Sequence, residues 1–413
     1  MNYKFKTNNK KGVIMKKYFL MLLVLAGCTT PKDGTTPTPT DIPTTTVPQP
    51  PTTTLPPPAP PMPVTYNVYQ GCAQPQIPTN TVTLDSALGE DFAAFVKAKK
   101  IQPGMHIILK GNHNGIGLNK YQTPQLVGMT SWIWIEGQGA TMSPMNVGDF
   151  QNVIISGITF KGSGQLLQSS NFSNLIISGN TLMTVDDASA YGLTEWMAAA
   201  NGISTRGGSC ISILNNAVKN VRFGINAGST EMLVEGNSVN NFSADAFRIV
   251  TSKVALKNNT ATDSYMSKAD GDANHDDGIQ LFNVQDTTNG LLEDILIEGN
   301  TIVAATDLKR AHIGDLQGIG AFDSIQNRIT IRGNTVSPYA YHAISLSGAN
   351  DSLIEGNTVK CLIKAKLPWI GVFTSKTERA PAKTIVRNNT APKFTIPAGV
   401  TGQNNIVNAN CMN

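Results

Sequence analysis

The chain has few of the residues that signal a helical bundle, a zinc protein or a strongly charged binding surface. Charged residues make up 15% and aromatic residues 7% of its 413 residues. It contains only five histidines and five cysteines, and no CxxC or HExxH spacing occurs among them, which argues against a zinc site. Glycine is plentiful, with 37 residues. This composition favours short strands joined by many turns.

The charge balance does not demand a nucleic-acid partner. The chain has 32 basic and 28 acidic residues, but its first 28 residues contribute six lysines and no acid. Without them, 26 basic residues stand against 28 acidic ones. Nothing in this balance demands nucleic acid or a polyanion as a partner, and we expect no binding to nucleic acid.

The N-terminus has the pattern of an export signal. Lys16 and Lys17 precede the apolar run 18–26, which is too short to span a bilayer. The run ends in Leu-Ala-Gly-Cys28, which resembles the lipobox of bacterial lipoproteins. The resemblance implies cleavage before Cys28, a lipid on its thiol, and an exported protein anchored to the outer membrane or cell surface. Because residues 1–14 precede a complete signal, we expect Met15 to be the true start.

A spacer separates this signal from the part of the chain that can fold. In residues 29–64, 25 of 36 residues are Thr or Pro, so this segment cannot form a core. At ~3.1 Å per residue, an extended polyproline-like chain of this length reaches about 110 Å. The predicted organisation is thus a signal at 1–28, a linker at 29–64 and a folded domain at 65–413. Among the remaining cysteines, we expect Cys361 to pair with Cys411.

The folded region contains an internal repeat, in which a short apolar strand ends in Gly-Asn or Asn-Asn and a second strand follows. One copy reads Asp294-Ile-Leu-Ile-Glu-Gly-Asn300-Thr-Ile. The repeated asparagines are Asn180, Asn216, Asn237, Asn259, Asn300, Asn334, Asn357 and Asn389, with Ile158 in the equivalent place of an earlier copy. Their smallest spacing, near 22 residues, indicates one coil, and longer spacings indicate coils with loops.

Stacking explains why such a repeat folds. One coil cannot bury its apolar face alone, but coils stacked ~4.8 Å apart share one core. Asparagine at the same bend of each coil can hydrogen-bond along the stack and tolerates a left-handed backbone. The asparagine ladder and the coil length resemble the pectate-lyase superfamily over residues 80–410. The resemblance implies an all-β, right-handed parallel β-helix of about ten coils, monomeric, with a capping helix at Thr83–Lys99.

A second strand in each coil has a Gly-Ile or Ala-Phe core and predicts a binding face. The residues expected to point inward are Ile203, Ile225, Phe247, Ile279, Ile319, Ile344 and Val372. Those expected to face solvent are Ser204, Asn226, Arg248, Gln280, Ser345 and Phe373. The extra residues of the long coils, 184–200, 261–276, 304–316 and 361–368, all precede this strand. Loops on one side of a strand column build the walls of a groove, where a linear polymer can bind.

Carboxylates concentrate at one point of this face. Asp245 and Asp277 occupy equivalent positions in adjacent coils, and Asp276 precedes Asp277. Carboxylates this close cannot all ionise at low cost. Either a cation lies among them, or one of them keeps a proton and is a candidate general acid. Arg248 follows on the outward face.

These segments resemble two families of enzymes. Ser243-Ala-Asp245 and His275-Asp276-Asp277 are similar to the acid motifs of polygalacturonases and also to the calcium-binding aspartates of pectate lyases. The sequence departs from both patterns, because Gln317 stands where the hydrolases have Gly-His-Gly and Gln280 where the lyases have a further acid.

The leading hypothesis is a lyase that cleaves a uronate polymer by β-elimination. Ca²⁺ would be held by Asp245, Asp276 and Asp277, with Arg248 as the base and His342 as its rival. The alternatives are a hydrolase that uses the same aspartates as acid and base, and a non-catalytic glycan-binding or adhesin-like surface protein. The expected partner is an acidic polysaccharide. Residues predicted to bind it are Asn226, Gln280, Arg310, His312, Gln317 and Trp369, and Trp196 is a further candidate for sugar stacking.

Overall fold

The computed structural model describes four stretches of the chain: 72–265, 276–309, 314–363 and 366–408. The signal sequence with Cys28, the linker, Arg310, His312 and Cys411 lie outside these residues, so the roles assigned to them remain predictions. Within the four stretches, none of the helices has the length and apolar character needed to cross a bilayer.

Three columns of parallel strands build the domain, and all of their pairings are parallel. The groove column contains Gly117–Leu118, Met145–Gly148, Ile225–Ala227, Phe247–Ile249, Asp277–Leu281, Gln317–Ala321, His342–Ser347, Trp369–Phe373 and Lys393–Thr395. The second column contains Asn80–Asp85, Met105–Lys110, Ile133–Gly137, Gln151–Ser156, Thr230–Glu235, Val254–Lys257, Leu291–Glu298, Ile325–Arg332, Leu353–Glu355, Thr384–Arg387 and Val400–Gln403. Two long strands, Gln165–Ser178 and Asn201–Leu214, run through both columns.

The third column completes each coil. Its strands are Asn112–His113, Thr141–Met142, Thr159–Lys161, Thr181–Met183, Ala217–Val221, Ser238–Phe242, Thr260–Ser264, Thr301–Val303, Thr335–Ser337, Thr358–Val359, Thr390–Ala391 and Ile406–Val407. The predicted right-handed parallel β-helix is confirmed, with twelve strands in this column where about ten coils were expected.

The core lies inside the coils and is formed by alternate side chains of the strands. All seven residues predicted to point inward from the groove column are at most 2% exposed. The predicted alignment of Ile344 with Val372 was wrong by two residues, because Ile344 pairs with Ile370 and Val372 pairs with Leu346. Both positions are fully buried, so the alternation itself is preserved.

The asparagine ladder is continuous. At Asn259, for example, the side-chain Nδ2 donates to Asn300 Oδ1 at 3.0 Å and to the Val234 carbonyl at 2.9 Å. Its Oδ1 accepts from both the backbone N–H and the side chain of Asn237, each at 2.9 Å. Similar bonds link the members from Asn180 to Asn389 and extend the ladder to Asn405. Every donor and acceptor of these buried amides therefore has a protein partner.

The left-handed backbone of each bend lies one residue earlier than predicted. Gly179, Gly236, Asn215 and Asn258 have positive φ angles of 62°, 69°, 53° and 53°, whereas the ladder asparagines do not. The turn is thus made by the preceding glycine or asparagine. This frees the ladder asparagine to direct its amide along the stack.

The N-terminal cap is shorter than the predicted helix at Thr83–Lys99. Residues Asn80–Asp85 form a strand that pairs with Met105–Lys110, and the α-helix covers only Phe92–Lys97. Asp91 caps this helix by accepting from the backbone N–H of Ala94 at 3.2 Å. The alternation of Val82 and Leu84 with polar residues has period two, which explains why the first part joins the sheet.

A disulfide that the sequence did not predict joins Cys72 to Cys210. Cys210 lies in the sixth strand of the second column, whereas the strand that follows Cys72 is the first. Residues 72–79 must therefore run back along about five coil spacings, roughly 24 Å, which an extended chain of eight residues can span. Cys361 is also disulfide-bonded, and its expected partner Cys411 lies outside the described residues.

The loops of the long coils precede the groove column, as predicted. The described parts of these loops lie between third-column strands and groove strands, except that residues 261–264 belong to a strand. The first loop, 184–200, contains a second short helix, Leu193–Ala198. The fold thus gives the groove column a wall on one side.

Candidate functional site

Two rows of side chains cross the groove column, each in register from coil to coil. The edge row consists of Gln165, Asn201, Phe223, Asp245, Asp277, Gln317, His342, Trp369 and Lys393. The middle row consists of Gln168, Ser204, Asn226, Arg248, Gln280, Gly320, Ser345 and Gly371. An open cavity of about 940 Å³ is lined by Gln165, Asn201 and Phe223 of the edge row, by the middle row from Gln168 to Arg248, and by Phe282. Aspartates lie near the centre of the edge row, flanked by amides and aromatic rings.

Asp245 is buried and has a partner for each carboxylate oxygen. Its Oδ1 accepts the backbone N–H of Asp277 at 2.8 Å, and its Oδ2 lies 2.9 Å from Arg248 Nε. Such a charge-assisted pair favours the ionised form of the carboxylate. Asp245 therefore supplies a fixed negative charge directly behind Asp277.

Arg248 is held as a cation between two rings. Its Cζ lies 4.5 Å from the ring centroid of Phe223 and 5.1 Å from that of Phe282. Its Nε and one terminal nitrogen both approach Gln280 Oε1 at 3.2 Å. These contacts fix the guanidinium of Arg248 beside Asp245, and the role of Arg248 as a base stays a prediction.

Asp277 is 1% exposed and has a carboxylate oxygen, Oδ1, without a hydrogen-bond partner among the described residues. This oxygen extends over the next strand, where a Cβ added to Gly320 would lie 2.6 Å from it. Glycine at that position is thus what allows the carboxyl group to lie over the groove strand. In the edge row, the neighbouring Gln317 is 4% exposed, and its Oε1 also lacks a partner within the same part of the chain.

Burial has an electrostatic consequence for Asp277. Desolvation, together with the negative charges of Asp245 and Asp276, raises the pKa of Asp277 well above its usual range, and Arg248 offsets only part of this effect. An uncompensated buried carboxylate is costly, so the protonated form of Asp277 is favoured over a wider pH range than that of an ordinary aspartate. The site thus places Asp245, paired with Arg248, beside Asp277, whose buried carboxyl group resists ionisation.

Calcium takes six to eight oxygen ligands. The two carboxylate oxygens of Asp245 contact Arg248 and the Asp277 amide, and the positive charge of Arg248 lies beside Asp245. Within the described stretches, three convergent ligand atoms occur at Cys72, Cys210 and Glu231, two of which form a disulfide. The calcium ion at Asp245, Asp276 and Asp277 stays a prediction.

Aromatic side chains surround His342 farther along the groove. Its ring lies 5.0 Å from Phe322 and 4.8 Å from Trp369, centroid to centroid, in edge-to-face contacts. His342 Nδ1 lies 2.8 Å from Ser345 Oγ. Ser345 is fully buried, so its predicted exposure to solvent was wrong, because the neighbouring rings cover the middle row at this point.

The structure brings most of the predicted site residues together. Asp245, Asp276, Asp277, Arg248 and Gln280 are neighbours, Asn226 lies in the cavity beside them, and Gln317, His342 and Trp369 continue the edge row. Trp196 does not join them. It is 1% exposed and packs between Tyr191 and Tyr265 inside the loop that contains it, so its predicted sugar stacking was wrong.

Several site residues were missed by the sequence reasoning. Phe223 belongs to the edge row, one coil before Asp245, and was not predicted to belong to the site. Gly320 was not predicted either, although its lack of a side chain is what admits Asp277. Phe282 and Phe322 directly follow groove strands, and aromatic residues at strand ends could have indicated them.

Comparison with known proteins finds similar chains among solved structures. No family model matches, and the search of curated proteins finds no match. Among solved structures, pectate lyase Pel9A is 12% identical with a TM-score of 0.36, and the match covers 80% of this chain and 82% of that one. A tailspike protein of E. coli bacteriophage HK620, in complex with a pentasaccharide, is 13% identical with a TM-score of 0.44. That match covers 79% of this chain and 59% of the tailspike chain.

A third similar structure is the A-module of the Azotobacter vinelandii mannuronan C-5 epimerase AlgE6. It is 13% identical with a TM-score of 0.37, and the match covers 75% of this chain and 84% of that one. The fold assignment rests on the strand pairings of this chain, and these similarities do not assign an activity. The activity has to be argued from the groove itself.

Proposed function

We propose that the protein is a polysaccharide-degrading enzyme in which Asp277 is the general acid. The observation that carries the proposal is the carboxyl group of Asp277 on a groove strand, which is buried, has a raised pKa and has no partner for Oδ1 among the described residues. A carboxylic acid kept neutral near pH 7 can donate its proton to the oxygen of a glycosidic bond.

The neighbouring residues supply the other requirements of hydrolysis. Asp277 protonates the leaving oxygen as the bond to the anomeric carbon breaks. A water molecule attacks that carbon and gives its proton to Asp276, which is partly exposed and whose charge acts on Asp277. Exchange of protons with solvent then restores both groups. Asp245 bonds to the Asp277 amide and to Arg248 and does not act on the substrate in this scheme, so it is a positioning residue.

Substrate contacts follow from the same rows. Arg248 is partly exposed at 29% of its side chain, and its planar guanidinium can bind a sugar hydroxyl or carboxylate. Asn226 and Gln280 offer amides on either side of it in the middle row. Gln317 offers a buried acceptor oxygen next to the acid. An acidic polysaccharide is the partner that Arg248 favours.

The calcium-dependent lyase remains the second candidate. Arg248 places a positive charge beside the aspartates, and β-elimination from a uronate requires positive charge near the sugar carboxylate. The two reactions leave different products. Elimination forms a conjugated double bond that absorbs in the ultraviolet, whereas hydrolysis forms only a new reducing end. Chelation distinguishes them as well, since the hydrolytic scheme needs no metal.

The test is a screen of polygalacturonate, mannuronan and α-1,3-glucan, each with and without EDTA. We expect new reducing ends without ultraviolet absorbance, unaffected by EDTA, and a bell-shaped pH dependence. Asp277→Asn and Asp276→Asn should each reduce the rate at least 100-fold, roughly the contribution of one acid or base. Asp351→Asn, which changes an exposed carboxylate outside the groove, is the matched control and should act like wild type.

Other outcomes point elsewhere. Absorbance that disappears with EDTA would replace the hydrolase with the lyase. Full activity of Asp277→Asn on a cleaved polymer would remove both mechanisms. Binding without any product from the three polymers would favour the non-catalytic glycan-binding protein.

The cellular location is a separate proposal that rests on the sequence alone. We propose that the protein is held at a bacterial membrane by a lipid on Cys28. Cys28→Ser should then release the protein from the membrane fraction into the soluble one. Retention of the variant with the membrane would contradict the proposal.

A further inference from the structure

An exposed pair of stacked aromatic rings lies beyond the acid in the groove. Tyr341 is 45% exposed, and its ring stacks on that of Trp369 with centroids 5.5 Å apart and planes 14° from parallel. Two lysines lie over the pair, with Lys393 Nζ 5.3 Å from the Trp369 ring and Lys366 Nζ 5.8 Å from the Tyr341 ring. We call Tyr341 and Trp369 the aromatic platform.

The surroundings hold these rings in place. Lys366 is paired with Asp315 at 2.8 Å and also lies over Tyr339. The edge of the His342 ring packs against Trp369 at 4.8 Å. Because its rings are already ordered, the platform loses little conformational entropy when it binds a ligand.

The platform lies in line with Asp277. Trp369 belongs to the edge row three coils after Asp277, and Tyr341 precedes the edge-row residue two coils after it. With strands ~4.8 Å apart, the rings begin about 10 Å from the acid along the axis of the β-helix. The 940 Å³ cavity, with its amides and Arg248, lies on the other side of Asp277. The acid is therefore flanked by binding features on both sides.

We propose that the aromatic platform is a sugar-binding subsite, so that a polymer lies across Asp277 and is cut within the chain. The C–H face of a pyranose packs against aromatic rings, and Tyr341 is 45% exposed. Lys393 would favour a sugar that carries a carboxylate or sulfate. This inference rests on the proposed function for the position of the cut, but the binding of sugar by the platform does not depend on it.

The test compares binding and cleavage in the same variants. Binding of polygalacturonate, mannuronan and α-1,3-glucan is measured by affinity electrophoresis with Tyr341→Ala and Trp369→Ala. We expect each change to weaken binding to at least one polymer about tenfold, with an unchanged melting temperature. Tyr121→Ala is the matched control, because Tyr121 is 82% exposed with Lys120 over its ring at 5.3 Å, but it lies near the first groove strand. It should bind like wild type.

Product lengths test the second half of the inference. Early digests of the cleaved polymer should contain oligosaccharides of many lengths, whereas a single short product would contradict cleavage within the chain. Unchanged binding by both platform variants, or an equal loss in Tyr121→Ala, would overturn the subsite. If platform variants lose binding while no polymer is cut, the subsite stands and the proposed enzyme fails. If no polymer binds to the wild-type protein, both proposals fail.

Discussion

The asparagine ladder and the acid cluster of Asp245, Arg248, Asp276 and Asp277 both bury polar groups, but they differ in how completely these groups are hydrogen-bonded. In the ladder, each amide donates to and accepts from its neighbours, as Asn259 does with Asn237 and Asn300. In the acid cluster, Asp277 Oδ1 has no protein partner among the described residues, and Gln317 Oε1 beside it has none either. The ladder is complete without a ligand, and the cluster is not.

The difference separates structure from function within one solenoid. A buried polar network stabilises a fold when every member has its partner, and an orphaned group costs free energy that the fold must supply elsewhere. Proteins tolerate such groups where activity requires them. The comparison therefore assigns the ladder to stability and the cluster to chemistry, and the following substitutions test that assignment.

The largest effect is expected inside the coils. Ile279→Asp places an unpaired charge in a fully buried position of a groove strand and should lower the free energy of unfolding by about 4 kcal/mol or more. Ser204→Asp, in the middle row of the same column, should change it by less than about 0.5 kcal/mol. Chemical denaturation measures both, and equal losses would mean that the two faces of the column are misassigned.

Removing one member of the ladder should cost somewhat less. Asn259→Ala leaves the Val234 carbonyl and the Asn237 side chain without their bonds, at a cost of about 3 kcal/mol. Asn240→Ala, which removes a partly buried amide bonded to Thr262 and Asp263, should cost less than about 1 kcal/mol. Similar midpoints for the two variants in a denaturant titration would argue against the ladder as a stabilising element.

Breaking the ion pair in the acid cluster should have an intermediate effect. Arg248→Met removes the cation from Asp245, which is buried, and should destabilise the protein by about 2 kcal/mol. Adding Asp245→Asn should restore part of the loss, because no charge is then left unpaired. A double variant whose losses are simply additive would show that the pair contributes no coupling.

The smallest effect should have the opposite sign. Asp277→Asn removes the group that resists ionisation and should stabilise the protein at neutral pH by roughly 0.5–2 kcal/mol. Because burial raises the pKa of Asp277, the stability that this carboxyl group contributes is fully present below pH 3.8, its pKa in the unfolded chain. That stability is lost as the pH rises through the higher pKa of the folded protein. The advantage of the variant should therefore shrink below about pH 4. A destabilised variant at pH 7 would contradict the assignment.

The fold could be predicted because its signals are local. The strand period and the Gly-Asn bend recur in each coil, and each inward residue follows from its neighbours in sequence. The Cys72–Cys210 disulfide could not be predicted, because it depends on the path of a segment that belongs to no coil. The pairing of Asp245 with Asp277 followed from the repeat, whereas the burial of Ser345 and Trp196 depends on loops and rings from other coils.

The most direct test of the central claim is the protonation state of Asp277 at neutral pH. Infrared difference spectra of wild type and Asp277→Asn, recorded at pH 7 with ¹³C-labelled aspartate, report the carbonyl stretch of a protonated carboxyl group. We expect wild type to show this band and the variant to lack it, with the band disappearing only at higher pH. Its absence from wild type at pH 7, with only carboxylate bands present, would contradict the account.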